Sequence, residues 1–441
     1  MIDAFRFCLP IWGEDFVRTW LDVALPTQLA PGNLEEFPWA SGSTIEIYTR
    51  RQDTALMEAS PAFGRLRRAM KVEIIDIDRL FQKSVFGIYT ECQRMAIRAA
   101  DAADATLSFL SPDMVMSPGT LRNAALRIRA GATAYVIPGN RTVKEDMVPW
   151  LLAHGSDGGT VIAVPARDLV RRSIDCVHAN SESWFWNSKR FDRTPAYLMW
   201  EVPGAGLVAY CYVLHPMMLR AEIRGAELAN IFDQDYLERA CPTVERIHVA
   251  DDSDEAFIFG LDPRDRFKEH LIEYRASPYD LAYWAEWAFN PHHRRFAATP
   301  IRHRYADGDP EAWTSAEQAG RAVVDDIAAL LAVPDWQLAL LDRKRLLMRL
   351  RRRYRYLHKE LHNVGFVWSV IDSLPSLRKQ LHHFVGRTSA ADMAALEWYA
   401  DEEDRPSVAL TDRVEMAERY RRTMNVVEKL RAANQGASKE S

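Results

Sequence analysis

Apolar and polar positions switch between two periods along the first third of the chain. Phe5 to Trp12 reads as a strand. Residues 15–29 carry apolar side chains at helical spacing, and the PGNL at 31–34 ends that helix, with Pro and Gly just past the last periodic residue. The cycle then recurs. Residues 44–48 (TIEIY) predict a strand, 54–70 a helix and 72–77 (VEIIDI) a strand. Residues 91–103 predict a helix with Cys92, Met95, Ala96, Ala99 and Ala103 on one face. A short apolar run at 105–113 (ATLSFLSPD), a helix over about 119–130 and a strand at 132–137 follow, the last stopped by PGN. Strands separated by helical segments of this length predict an α/β fold, a mixed and mainly parallel sheet flanked by helices.

The texture changes near residue 195. Tyr197 to Val202, a GAG turn and LVAYCYVL at 207–214 predict two strands that add an antiparallel element to the parallel sheet before His215-Pro216. Farther on, residues 244–261 place an apolar strand on either side of the acids Asp251, Asp252, Asp254 and Glu255. From about 313 the pattern is helical, ending in the polar NQGASKES. No repeat of fixed period occurs. A chain of 441 residues exceeds what one core usually serves. The expected division is an α/β domain over 1–265, a connecting segment over 266–312 and an α-helical C-terminal extension over 313–441.

Charge and cysteine usage narrow the class. With 56 Lys+Arg against 61 Asp+Glu the net charge is -5, which argues against a surface built for nucleic acid. Five scattered cysteines without a CxxC pair support neither a disulfide framework nor a structural zinc site, and they read as buried thiols. The first 15 residues show neither a basic n-region nor an apolar h-region, and no window has the roughly 18–20 apolar residues of a membrane span. A cytoplasmic location is the resulting expectation. Walker A, G-x-G-x-x-G, G-x-S-x-G and H-E-x-x-H patterns are all missing from the sequence.

Asp113 is the leading site candidate, because open α/β sheets place ligand chemistry at the carboxyl ends of their strands and this acid closes one. The order of elements over residues 4–262 resembles the GT-A fold of nucleotide-sugar-dependent glycosyltransferases, a resemblance of layout more than of motif. It is carried by the LPIWG and IYTRR strand ends, the SPD at 111–113, the strands from Tyr197 to Pro216 and the HVADDSDE segment. The family usually shows D-x-D where this chain has Ser111-Pro112-Asp113, a single carboxylate. The resemblance implies a glycosyltransferase that moves a sugar from a nucleotide sugar, expected to be UDP-linked, to a glycan or lipid-linked acceptor. A nucleotidyltransferase on a related fold, or a noncatalytic interaction protein, is the alternative.

Such chemistry needs compensation for charge that builds on a departing diphosphate. A divalent metal (Mn or Mg) held by Asp113 and His248 is one means, since imidazole is acceptable to Mn²⁺. Tyr48, Thr49, Arg94 and Asp113 are the candidates for nucleotide contact. For the acceptor proton the candidates are Asp235, Glu201, Asp252 and Asp254, among which the sequence does not choose. Asp233-Gln234-Asp235 is a literal D-x-D, with helix capping by Asp233 as the competing explanation. Trp184, Trp186 and Trp200 offer flat faces for a sugar ring or for the core.

Between 343 and 359 nine basic residues, among them Arg349, Arg351, Arg352, Arg353 and Arg355, occur without an acid, and leucines recur at helical spacing. A basic amphipathic helix of this kind can lie on anionic membrane, giving a peripheral contact at the inner membrane surface. The alternative pairs its arginines with acids such as Asp325, Asp326, Glu397 and Glu402.

Overall fold

The computed structural model describes residues 4–81, 83–191, 195–228, 232, 236–266, 276–335, 337, 346, 349 and 350. Its contacts divide the chain into two compact units, one of residues 1–275 with 289–324 and one of 276–288 with 325–441. The edge between residues 324 and 325 falls inside the helix Pro310–Leu331.

Among the described residues of the first unit, the strands in chain order are β1 (Phe5–Pro10), β2 (Thr44–Thr49), β3 (Lys71–Asp76), β4 (Thr106–Phe109), β5 (Met114–Met116), β6 (Ala134–Ile137) and β7 (Gly139–Val143). There follow a small ribbon of β8 (Gly155–Ser156) and β9 (Val161–Ile162), then β10 (Tyr197–Val202), β11 (Gly206–Cys211), β12 (His215–Leu219), β13 (Ile247–Val249), β14 (Ile258–Asp262) and β15 (Pro300–Arg304). Seven form the central sheet in the order β13-β6-β12-β4-β1-β2-β3, in which only β12 runs antiparallel to its neighbours. The expected mixed, mainly parallel sheet flanked by helices is what the chain forms. Its inner strands are buried on both faces, as parallel strands under helical layers must be, so β1 and β2 read as near-continuous runs (FRFCLP, TIEIYT). The two polar intruders satisfy each other. Glu46, fully buried, accepts from Arg6 and, at 2.6 Å, from the Tyr48 hydroxyl.

Several expectations shift by identifiable physics. The helix read over 54–70 is two, Thr54–Glu58 and Pro61–Ala69, because Ser60 caps the second through its hydroxyl and Pro61 takes its first position. The PGN after β6 is no terminating turn, since β7 starts at Gly139. The hairpin β10–β11 does not extend the central sheet. It pairs instead with β15 in a separate three-stranded sheet, while His215–Leu219 supplies the antiparallel strand of the main one. Gly206, at φ +155°, permits that third pairing: a Cβ there would sit 1.9 Å from the His303 carbonyl oxygen.

In the second unit the helix Pro278–Ala288 carries Glu286, whose carboxylate receives both Nε (3.0 Å) and Nη2 of Arg349. Arg349 also donates to the Val333 and Leu331 carbonyls and to Asp335. This member of the basic run is therefore buried and internally paired, with Glu286 and Asp335 in place of the expected Asp325 or Asp326. The run's other arginines, with Glu397 and Glu402, lie outside the described residues. No helix among those described is long and apolar enough to cross a membrane.

Removing one partner of a buried ion pair strands the other charge. Glu286→Gln should cost about 3 kcal/mol in chemical denaturation of the full chain, whereas replacing Glu286 and Arg349 together by Met and Leu should cost much less. His303 supplies a second test. It is buried against Phe257, neither ring nitrogen has a hydrogen-bond partner among the described residues, and burial lowers its pKa to about 4. The unfolded chain then binds one more proton than the folded one between about pH 6.5 and 4, so stability falls on acidification across that window by about 1.4 kcal/mol per pH unit for this group. His303→Phe should remove one proton from that dependence, measured as the slope of unfolding free energy against pH.

Candidate active site

The parallel strands β1, β4 and β6 end on the same side of the sheet, and a cavity of about 530 Å³ opens beyond them. Residues 10–12 enter it after β1, residues 111–114 after β4, and Gly139 and Arg141 after β6. This is the location where an open α/β sheet presents backbone and side chains to a ligand. Trp184, Tyr197 and Phe232 supply aromatic wall, and Phe16, Val85 and Phe86 are among its exposed members.

Asp113 sits in the turn that joins β4 to β5. The turn closes through the Met114 amide to the Ser111 carbonyl at 3.2 Å, and the Asp113 carbonyl accepts from the Leu261 amide at 3.1 Å. The side chain is held twice. The Ser111 hydroxyl donates to Oδ1, and Arg141 Nη1 donates to Oδ2 at 2.7 Å. Arg141 stands on β7 and its Nη1 is also 3.5 Å from Oδ2 of the buried Asp262, whose Oδ1 accepts from Arg266 at 2.9 Å. Burial disfavours the Arg141 charge, yet Asp113 and Asp262 more than offset this and hold the guanidinium more basic than usual.

The small sheet β5-β14-β7 creates this pairing. Gly260 on β14 is opposite Met114 on one side and Arg141 on the other, so the arginine crosses the strand at the glycine to reach the acid. A Cβ at 260 would lie 2.6 Å from Arg141 Nη1. Only glycine leaves that path open.

His215 completes the polar lining. Its Nε2 lies 2.8 Å from the Phe109 carbonyl, which can only accept, so Nε2 carries the proton and Nδ1 the lone pair. Burial lowers its pKa to about 4, against the opposing pull of that hydrogen bond, and the ring is neutral near neutral pH. Phe232 packs edge-on against it and stacks on Phe109 with ring centres 4.4 Å apart.

Of the residues singled out from sequence, Asp113 and Trp184 line the cavity. Tyr48 is buried with its hydroxyl on Glu46, Thr49 is buried at the end of β2, and Arg94 donates to the Leu228 carbonyl and pairs with Glu91. His248 lies on the edge strand β13, stacked on Tyr135, with Nε2 3.1 Å from Glu255. Two strands separate β13 from β4, roughly 14 Å at the usual spacing. Glu201 is exposed on β10, Asp252 is paired with Arg304 and Asp254 with Arg167. Trp186 and Trp200 stack on one another. Asp233 and Asp235 lie outside the described residues. Arg141, His215, Asp262 and Arg266 were missed because each comes from a segment distant in sequence from Asp113, with no motif around it.

Among the described residues, the two side chains read as metal ligands stand apart. Asp113 and His248 are not brought together, and no cluster of three His, Cys, Asp or Glu side chains suited to a metal occurs among the described residues.

No protein-family model and no curated protein sequence matches the chain. Among the solved structures that overlap parts of it are two at 12% identity. TarS of S. aureus covers 67% of this chain and 42% of its own with a TM-score of 0.31, and apo mouse xyloside xylosyltransferase 1 covers 30% and 52% with a TM-score of 0.20. The chain thus corresponds to only about half the length of either protein.

The geometry predicts coupled energetics. Asp113→Asn and Gly260→Ala each break the same partly buried ion pair, one by removing charge and one by displacing the guanidinium. Each should cost about 1 kcal/mol, and the double variant clearly less than the sum, read from denaturation midpoints in a double-mutant cycle.

Proposed function

We propose that this protein is a glycosyltransferase of GT-A-like layout, taking a sugar from a nucleoside diphosphate sugar, with uridine as the expected base, and passing it to an acceptor hydroxyl. The observation that carries the reading is the Asp113–Arg141 pair facing an aromatic-walled cavity at the carboxyl ends of parallel strands. Aromatic faces suit a base or a sugar ring, and fixed donors suit a diphosphate leaving group. In the transfer the bond between the sugar's anomeric carbon and the β-phosphate oxygen breaks, its electron pair leaving on the nucleoside diphosphate. The acceptor oxygen bonds to that carbon and gives up its proton.

His215 is the proton acceptor favoured by this reading, since it lines the cavity as a neutral imidazole with Nδ1 unprotonated. Glu201, Asp252 and Asp254 are engaged or exposed elsewhere in the first unit. Exposed Phe16, Val85 and Phe86 on the same cavity favour an acceptor with an apolar portion, such as a lipid-linked glycan, over a wholly polar one.

Calorimetry should detect a nucleoside diphosphate at sub-millimolar concentration, and His215→Gln should lower turnover of the nucleotide sugar by about 10²- to 10⁴-fold while leaving diphosphate binding intact. Failure of every nucleoside diphosphate to bind at millimolar concentration, with or without metal, would remove the reading.

A further inference from the structure

We infer that Arg141, with Arg266 beside it, forms a diphosphate site that works without a divalent cation, a deepening that rests on the proposed donor chemistry. Both guanidinium groups line the cavity and are roughly half-exposed, 40% for Arg141 and 46% for Arg266. Arg141 commits only Nη1 to carboxylates among the described residues, and its Nε and Nη2 donors remain for a ligand. A planar fork of that kind matches two phosphate oxygens.

The charge balance agrees. Among the described residues, the ionised side chains lining the cavity are Arg141, Arg266 and Asp113, two positive and one negative, while His215, Tyr89 and Tyr197 are neutral there. Asp262, behind the arginines and buried, orients both without entering the cavity. The elements that would otherwise hold a cation do the opposite work: Asp113 anchors Arg141 through Oδ2, Ser111 occupies Oδ1, and Gly260 clears the path between acid and base. An arginine held in place by two carboxylates is oriented before any ligand arrives, so little reorganisation accompanies binding.

The probe is inorganic pyrophosphate, titrated into the full chain by calorimetry with excess chelator and again with excess Mg²⁺ or Mn²⁺. Binding should occur with chelator, change less than two-fold on adding metal, and weaken at least ten-fold in Arg141→Met. Arg141→Lys, which keeps the charge but loses the fork, should recover part of the loss, and Gly260→Ala should weaken binding with Arg141 still present. Thermal unfolding of each variant separates a lost site from a lost fold. Binding that requires metal, that ignores Arg141→Met, or that does not occur at all would overturn the inference. Nucleoside diphosphates run in parallel keep the two ideas apart. Metal-dependent nucleotide binding would sink this site but spare the transferase, whereas pyrophosphate binding in chelator without any nucleotide binding would do the reverse.

Discussion

The register of three short strands at Gly260 is the constraint on which the site depends. β14 lies between β5 and β7, antiparallel to one and parallel to the other, and the residue facing both Met114 and Arg141 has no side chain. A slip of one residue would put Phe259 or Leu261 there and turn their buried side chains to the opposite face. Register is therefore pinned by the burial of Phe259 and Leu261, and the glycine inherits its place from that packing. The polar pair at the cavity is in this sense a by-product of apolar alternation in β14.

A second layer of order comes from how charge is handled near the sheet. Glu46 is buried only because Arg6 and Tyr48 reach it, and Asp262 only because two arginines do. His303 and His215 are held neutral by burial, with different outcomes. The first faces Phe257 with no polar partner among the described residues, a cost in stability, while the second is oriented by the Phe109 carbonyl and opens onto the cavity. The same residue type is enclosed in the core in one place and lines a cavity in the other, and the second has a hydrogen bond that selects its tautomer.

What a carboxylate at a strand end can do depends on its neighbours more than on its position. Asp113 occupies the place from which a metal ligand would be expected, yet a guanidinium at 2.7 Å makes it an anchor for positive charge. Charge compensation by arginine gives directional donors in a fixed plane, and it does not depend on recruiting an ion.

The sequence by itself determined the α/β class, the mainly parallel sheet and the place of Asp113 at the end of a central strand. Those follow from local signals: runs of apolar residues with period two or 3.6, turn residues at their ends, and an acid directly after a buried strand. Tertiary structure alone decided who stands beside Asp113. Arg141 is 28 residues away and joins it across a strand contributed by residues 258–262. His215 arrives on the one antiparallel strand of the main sheet. Tyr48 and Arg94 look equally available in sequence, but Glu46 and the Leu228 carbonyl claim them. Pairing across a sheet is set by register among segments far apart in the chain, and no local periodicity encodes which residues will face each other once it forms.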